Sequence, residues 1–173
     1  IEGGKFTHFV FNEMQEKTIH RIEAPLGQFY LRQSNKPIIF VSGGTGFAPI
    51  KSVIEDMIES NNTRPIFLYQ GVKAEEDLYM NKICKLWEKK YLNIKYIPIF
   101  SDPAKDDSKI VRRGFVHSAV MEDFETLSDV QVYCCGAPIL VETAFKEFTK
   151  KKFLPENEFY ADAFSFSPVK PAS

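Results

Sequence analysis

From Pro37 onward the chain alternates short apolar runs with longer amphipathic stretches, and this alternation restricts the fold more than any other feature. Pro37-Ile38-Ile39-Phe40-Val41 is an unbroken apolar run, ended by Ser42-Gly43-Gly44-Thr45-Gly46. A run of that length closed by glycines reads as a buried strand. From Ala48 to Ser60 the apolar residues Ile50, Val53, Ile54, Met57 and Ile58 recur at helical spacing. Pro49 suits the first helical turn, where its missing N–H is not needed, and Asn61-Asn62-Thr63 stops the helix. The pattern then repeats. Pro65 to Tyr69 reads as a strand, Gly71 as a break and Glu75 to Lys90 as a charged helix. Ile94 to Phe100 is a third strand, Ser101 to Arg113 a polar loop and Val116 to Phe124 a short helix. Val130 to Cys135 is a fourth strand, Pro138 to Lys151 a helix, and Glu158 to Phe164 a fifth strand. The alternation predicts an α/β domain with a five-stranded parallel, doubly wound sheet.

The first thirty-odd residues follow another pattern. Phe6 to Phe11 is apolar, Thr18 to Glu23 alternates, and Pro25-Leu26-Gly27 forms a turn before Gln28 to Leu31. They read as the end of a β-rich domain, which divides the chain into residues 1–34 and 35–173. The balance of 22 basic against 23 acidic residues supplies no global field for nucleic acid or anionic lipid. No apolar stretch approaches the ~20 residues that cross a bilayer, so no membrane partner is expected. Ile1-Glu2-Gly3-Gly4 lacks the basic and hydrophobic regions of a secretory signal. Cys84, Cys134 and Cys135 do not make a disulfide framework, which fits a reducing, cytoplasmic setting. His8, His20 and His117 are scattered, and no metal-binding spacing occurs.

Glycines between a strand and a helix commonly let the backbone approach phosphate. A triphosphate-splitting loop needs glycine directly before Lys-Ser or Lys-Thr; here Ile50 precedes Lys51-Ser52, which removes that reading. Gly44-Thr45-Gly46 supplies the G-x-G of a dinucleotide fingerprint, with Pro49 where a third glycine is expected. A plain tight turn would look the same. Cys135-Gly136-Ala137-Pro138 repeats the arrangement: buried strand, small residues, then proline opening a helix. Two such loops at strand ends can hold two parts of one ligand.

These segments together resemble the ferredoxin–NADP reductase superfamily. Gly43-Gly44-Thr45-Gly46-Phe47-Ala48-Pro49 is similar to its nicotinamide-dinucleotide loop. Leu68-Tyr69-Gln70-Gly71-Val72 with Asp77-Leu78-Tyr79 is similar to its second-strand segment, and Tyr133 to Pro138 to its Cys-Gly-x-Pro motif. Phe159 to Phe164 resembles the end of the flavin-reductase branch. Within the superfamily the chain looks nearest to flavin reductases, oxygenase reductase components and CDP-6-deoxyhexose reductases. Gly3-Gly4-Lys5-Phe6-Thr7 is similar to the Gly-x-x-Ser/Thr segment that holds the FAD pyrophosphate. Ala24 to Phe29 resembles the last turn and strand of the FAD-binding barrel. The barrel's Arg-x-Tyr-Ser/Thr clamp is absent from this sequence.

The resemblance implies a role for each matching residue. Gly43, Gly44, Thr45, Gly46 and Pro49 would seat the dinucleotide pyrophosphate, with Gly71, Gly136 and Pro138 shaping the same crevice. Gly4 and Thr7 would meet the FAD phosphate, although Thr7 reads equally well as a helix cap. Cys135 would lie beside the nicotinamide, or be simply a buried small hydrophobe. Asp162 and Phe164 would close the flavin side. Ser101 and Asp102 would face the adenosine ribose, where phosphate-selecting relatives carry arginine. Arg113, with Arg112 before it, could compensate, and the balance points to NADH over NADPH. The implied reaction is hydride transfer from NADH or NADPH to FAD, with electrons passed to an oxygenase, iron–sulfur or dehydrase acceptor. The alternative is a dinucleotide-binding module whose flavin site is incomplete and which catalyses nothing alone. A third reading, a partner-binding α/β domain, would bind no dinucleotide.

Overall fold

The computed structural model describes residues 4–23, 26–102 and 112–164. Two compact units meet in the chain between Gly27 and Gln28. In the first, Gly4 caps helix α1, Lys5–His8, which runs on into a wider π-helical turn at Phe9–Glu13. The Phe9 ring meets the His20 ring edge-on at 5.3 Å, and Asn12 donates to the His8 carbonyl at 3.0 Å. The expectation of β structure here is not met among the described residues: Phe6 to Phe11 is helical, and Thr18 to Glu23 is not a strand. Alternation alone makes no strand without a neighbour to take its hydrogen bonds. The turn at Pro25 and the first glycine of Gly3-Gly4 lie outside the described residues.

The second unit, Gln28–Phe164, holds a sheet of six strands. In chain order these are β1 (Ile38–Gly43), β2 (Ile66–Val72), β3 (Ile94–Phe100), β4 (Arg112–Arg113), β5 (Gln131–Gly136) and β6 (Phe159–Ala163). The helices between them are α2 (Phe47–Glu59), α3 (Asn81–Lys90), α4 (Val116–Asp123) and α5 (Pro138–Lys152). Every pairing is parallel, in the order β4-β3-β2-β1-β5-β6.

The sheet therefore has six strands, not five. The extra one is the pair Arg112–Arg113, set opposite Ile99 and Phe100. Two charged residues carry no hydrophobic period, so the sequence pattern placed them in a loop. Residues 103–111, the middle of that expected loop, lie outside the described residues. The helix expected over Glu75 to Lys90 is also interrupted. A single 3-10 turn, Glu75–Asp77, comes first, with Asp77 accepting from the Ala74 N–H at 3.1 Å. Met80 then takes a left-handed φ of 61° before α3 begins.

The central strand shows why its run is unbroken. Ile38 and Phe40 pack with Phe47, Ile50, Ile54 and Met57 of α2 on one face. Ile39 and Val41 pack with Val116, Val120, Val141 and Phe148 of α4 and α5 on the other. A strand covered on both faces has no position for a polar alternate. Helices α2 and α5 leave β1 and β5 on opposite faces, so the chain diverges between these neighbouring strands and opens a crevice at their C-terminal ends.

The opposite end of the sheet is closed by a buried cation. Arg64, 7 % exposed, donates to the Lys36 carbonyl at 2.7 Å, the Arg32 carbonyl at 3.2 Å and Gln131 Oε1 at 2.7 Å. Gln131 in turn donates to Glu158, which also pairs with Lys36 at 2.9 Å. Burial lowers the Arg64 pKa, against the opposing pull of the Tyr133, Glu158 and Tyr160 groups. Replacing Arg64 by Met orphans these acceptors and is expected to lower stability by about 1–3 kcal/mol, measured as a shift in denaturant midpoint. The Glu158 pKa is lowered: burial alone would raise it, but the hydrogen bonds from Lys36 and Gln131 prevail. Its contribution is therefore present above the ordinary glutamate value and lost as pH falls through the depressed folded value. Glu158→Gln should flatten the acid limb of a stability–pH curve.

Candidate functional site

The turn after β1 is built by two glycines with different tasks. Gly44 has a φ of +52°, which ordinary side chains adopt only with strain. Gly46 is buried beneath it, and a Cβ there would fall 2.8 Å from the Gly136 nitrogen and inside contact of the Cys135 carbonyl. The turn after β1 thus rests directly on the end of β5. Tyr79 holds it from the other side: its hydroxyl donates to the Thr45 carbonyl at 3.3 Å, and its ring meets Phe47 edge-on at 5.8 Å.

Above this turn lies a cleft of about 910 Å³, in the size range of cofactor pockets. Gly43, Gly44 and Thr45 form its floor, with Gly71 near the end of β2 and Lys73 just past it. The first turns of α4 and α5 form the far walls, so positive helix ends and free amides face the space, an arrangement suited to a diphosphate. Ser101, Gly114 and the exposed Phe115, 66 % accessible, line the cleft beyond the ends of β3 and β4, and the exposed Ile139, 72 % accessible, lines it at the start of α5. Two large apolar groups left open beside a polar floor suit a ligand with an aromatic part and a charged part.

At the β5 and β6 ends, Cys135 stands opposite Ser42 on one side and Asp162 on the other. The Cys135 side chain is fully buried on the α2 face. Burial pushes its thiol up to about 12, with the Asp162 charge adding to the effect, so it is a neutral thiol and no nucleophile at ordinary pH. The Phe164 N–H donates to the Gly136 carbonyl at 2.9 Å, and its ring packs against the cluster that holds Cys135.

The family model for the oxidoreductase NAD-binding domain matches residues 40–146. The chain belongs to that family. Among its relatives, the CDP-6-deoxy-L-threo-D-glycero-4-hexulose-3-dehydrase reductase of Yersinia pestis is 40% identical over 164 residues, covering 95% of this chain and 49% of that protein. A probable flavin reductase of Aliivibrio fischeri is 31% identical over 159 residues, 91% of this chain and 66% of the relative. The cytochrome P450 reductase of Amycolatopsis has a similar fold, with a TM-score of 0.74 at 27% identity over 82% of this chain and 42% of that one. The chain spans about half the length of the first of these relatives.

Within this oxidoreductase NAD-binding domain, five of the expected residues line the cleft: Gly43, Gly44, Thr45, Gly71 and Ser101. Gly46, Pro49, Gly136 and Pro138 support it from beneath or from the helix starts. Asp102 follows Ser101, its N–H held by the Lys73 carbonyl at 3.0 Å. Cys135, Asp162 and Phe164 form their own group at the strand ends and are not among the lining residues. Arg113 lies exposed on β4, also away from the lining. Arg112 is committed elsewhere, to Asp123 at 2.6 Å, Glu122 at 2.7 Å and the Ala119 carbonyl at 2.9 Å. In the smaller unit, Gly4 is the helix cap and Thr7 lies inside α1, so the cap reading of Thr7 is corrected.

Sequence reasoning assigned no role to Lys73, Tyr79, Phe115, His117 or Ile139. Tyr79 stood inside a matched motif and could have been singled out; Phe115 and Ile139 carry no signal until their exposure is seen. Gly46→Ala is expected to destabilise the domain by about 1–3 kcal/mol through overpacking and to abolish dinucleotide binding. Thermal melts and calorimetric titration with NADH check both outcomes.

Proposed function

We propose that the chain is the nicotinamide-dinucleotide-binding part of an NAD(P)H-dependent flavin oxidoreductase component. The observation that carries this reading is the cleft itself: a glycine floor and helix starts for the diphosphate, between an apolar adenosine end and the Cys135–Asp162 strand ends. The adenine would lie at Phe115 and the ribose at Ser101. The nicotinamide would reach toward β5 and β6, where Gly136 and the buried, uncharged Cys135 keep the surface flat and apolar. Asp162 and Phe164 would border that ring and keep water from it.

FAD, when bound, would accept a hydride from the nicotinamide and pass electrons to a partner. The described residues near Gly4 and Thr7 fit it only in part. They offer one helix start, Gly4–His8, and one half-buried hydroxyl, which do not hold an isoalloxazine ring. No step is therefore assigned to this chain's residues on the flavin side. That poverty favours, for the chain alone, the second reading of a dinucleotide-binding module without turnover. The division at residue 34 into a barrel end and a nucleotide domain belongs to the same proposal. So does an acceptor such as an oxygenase, an iron–sulfur protein or a dehydrase.

Among the described residues no helix is long and apolar enough to cross a membrane, and all three cysteines are free and buried. Both facts are compatible with the proposed cytoplasmic setting. Mixing the chain with FAD and NADH and following the NADH absorbance separates the two readings. Steady oxidation supports the oxidoreductase, whereas saturable binding without oxidation supports the module.

The proposed preference is for NADH. Asp102, next to the lining residue Ser101, would put a carboxylate beside the ribose end, and Arg112 is taken by Glu122 and Asp123. Among the described residues, Lys73 is a cation that lines the cleft. A 2′-phosphate would meet the carboxylate as well as the lysine. Titration at low salt should give tighter binding of NADH, and tenfold tighter binding of NADPH would overturn the preference.

A further inference from the structure

We propose that His117 is a positioning residue for the adenine end of the cleft: set against Glu147, it backs the exposed ring of Phe115 in the orientation that receives a purine. The proposal rests on the dinucleotide reading of the cleft. Phe115 caps α4 and projects from the rim, directly after Gly114, whose φ of +122° turns the chain there. Among the described residues the ring stays 66 % exposed. Behind it the His117 imidazole lies 5.7 Å away between centroids, with the planes 20° apart. That is an offset-stacked pair.

The imidazole is itself fixed. Only 13% of its side chain is exposed, and its Nε2 lies 3.4 Å from Glu147 Oε2 on α5. The other Glu147 oxygen holds Lys151 at 2.6 Å, so the carboxylate has a set direction. Burial lowers the His117 pKa, with Glu147 opposing and Lys151 assisting. The ring therefore stands neutral at ordinary pH, and it joins α4 to α5 across the cleft wall that both helices form.

An exposed phenylalanine would otherwise sample several rotamers, and a purine stacking on it would bear the cost of ordering it. A ring already backed by a fixed neighbour leaves that cost out of binding. The core contacts of α4 come from Val116, Ala119 and Val120. Neither Phe115 nor His117 is required for them, so the stack answers to something outside the core.

The test is calorimetric titration of the whole chain with NAD⁺, AMP and nicotinamide mononucleotide. The variants are Phe115→Ala, His117→Ala, His117→Phe and the double Phe115→Ala/His117→Ala. Each single alanine change should weaken NAD⁺ and AMP roughly three- to tenfold, the scale of one aromatic stacking contact. The mononucleotide, which has no adenine, should be unaffected. His117→Phe, which restores a ring behind Phe115, should recover most of the loss.

The double variant decides the matter: acting through Phe115, His117→Ala should add nothing once Phe115 is gone. Additive losses, equal losses for the mononucleotide, or AMP binding unchanged in His117→Ala would each overturn the proposal. Should the alanine variant unfold, His117→Gln removes the ring, keeps a polar group toward Glu147 and repeats the test. A wild-type chain that takes up neither NAD⁺ nor AMP overturns the dinucleotide reading itself. Binding that ignores Phe115 and His117 overturns this inference alone.

Discussion

The turn after β1 and the last residues of β5 meet where there is no room for a Cβ. Gly46, at the end of that turn, abuts the Cys135 carbonyl and the Gly136 nitrogen of the strand. This contact closes the floor between two strands whose connections leave on opposite faces of the sheet. It also fixes the height of the Gly44-Thr45 amides relative to the starts of α2 and α5. The floor of the cleft depends on that height, because it is made of the backbone at Gly43, Gly44 and Thr45. Tyr79, reaching from beyond β2 to the Thr45 carbonyl, holds the same turn from the open side.

The same contact explains the character of Cys135. A residue whose carbonyl touches a neighbouring turn cannot swing outward, and its side chain is committed to the face shared with Phe40, Phe47 and Ile50. Its thiol is uncharged for a physical reason: burial, reinforced by the carboxylate of Asp162 next door. The strand ends thus hold a buried neutral thiol beside a carboxylate.

Much of this was legible in the sequence because the constraints are periodic or steric. The Ile50-Ile54-Met57 stripe, the unbroken Ile38 to Val41 run and the glycine turns each follow from burial or close approach, and each leaves a pattern in one dimension. The unread parts are those set by neighbours distant in the chain. Arg112–Arg113 becomes a strand only because β3 offers an open edge, and no pair of arginines announces that. Phe115 looks like a core residue until Gly114 turns it outward. Lys73 is one lysine among many until the Ser101 loop folds beside it and its carbonyl takes the Asp102 N–H. Helix breaks such as Met80 are equally silent, since the left-handed φ sits on a residue with no preference for it.

The tie between β4 and α4 has a mechanical meaning. Arg112 grips Glu122 and Asp123, and the same Asp123 oxygen accepts the buried Tyr69 hydroxyl at 2.6 Å. Burial alone would raise the Asp123 pKa, but the bonds from Arg112 and Tyr69 hold it below its usual range, so the clamp keeps its charge. Rim strand, helix and central sheet are consequently linked through one carboxylate. Phe115 and Asp123 stand at the two ends of α4, so the helix that carries the aromatic rim is moored at its far end to the central sheet.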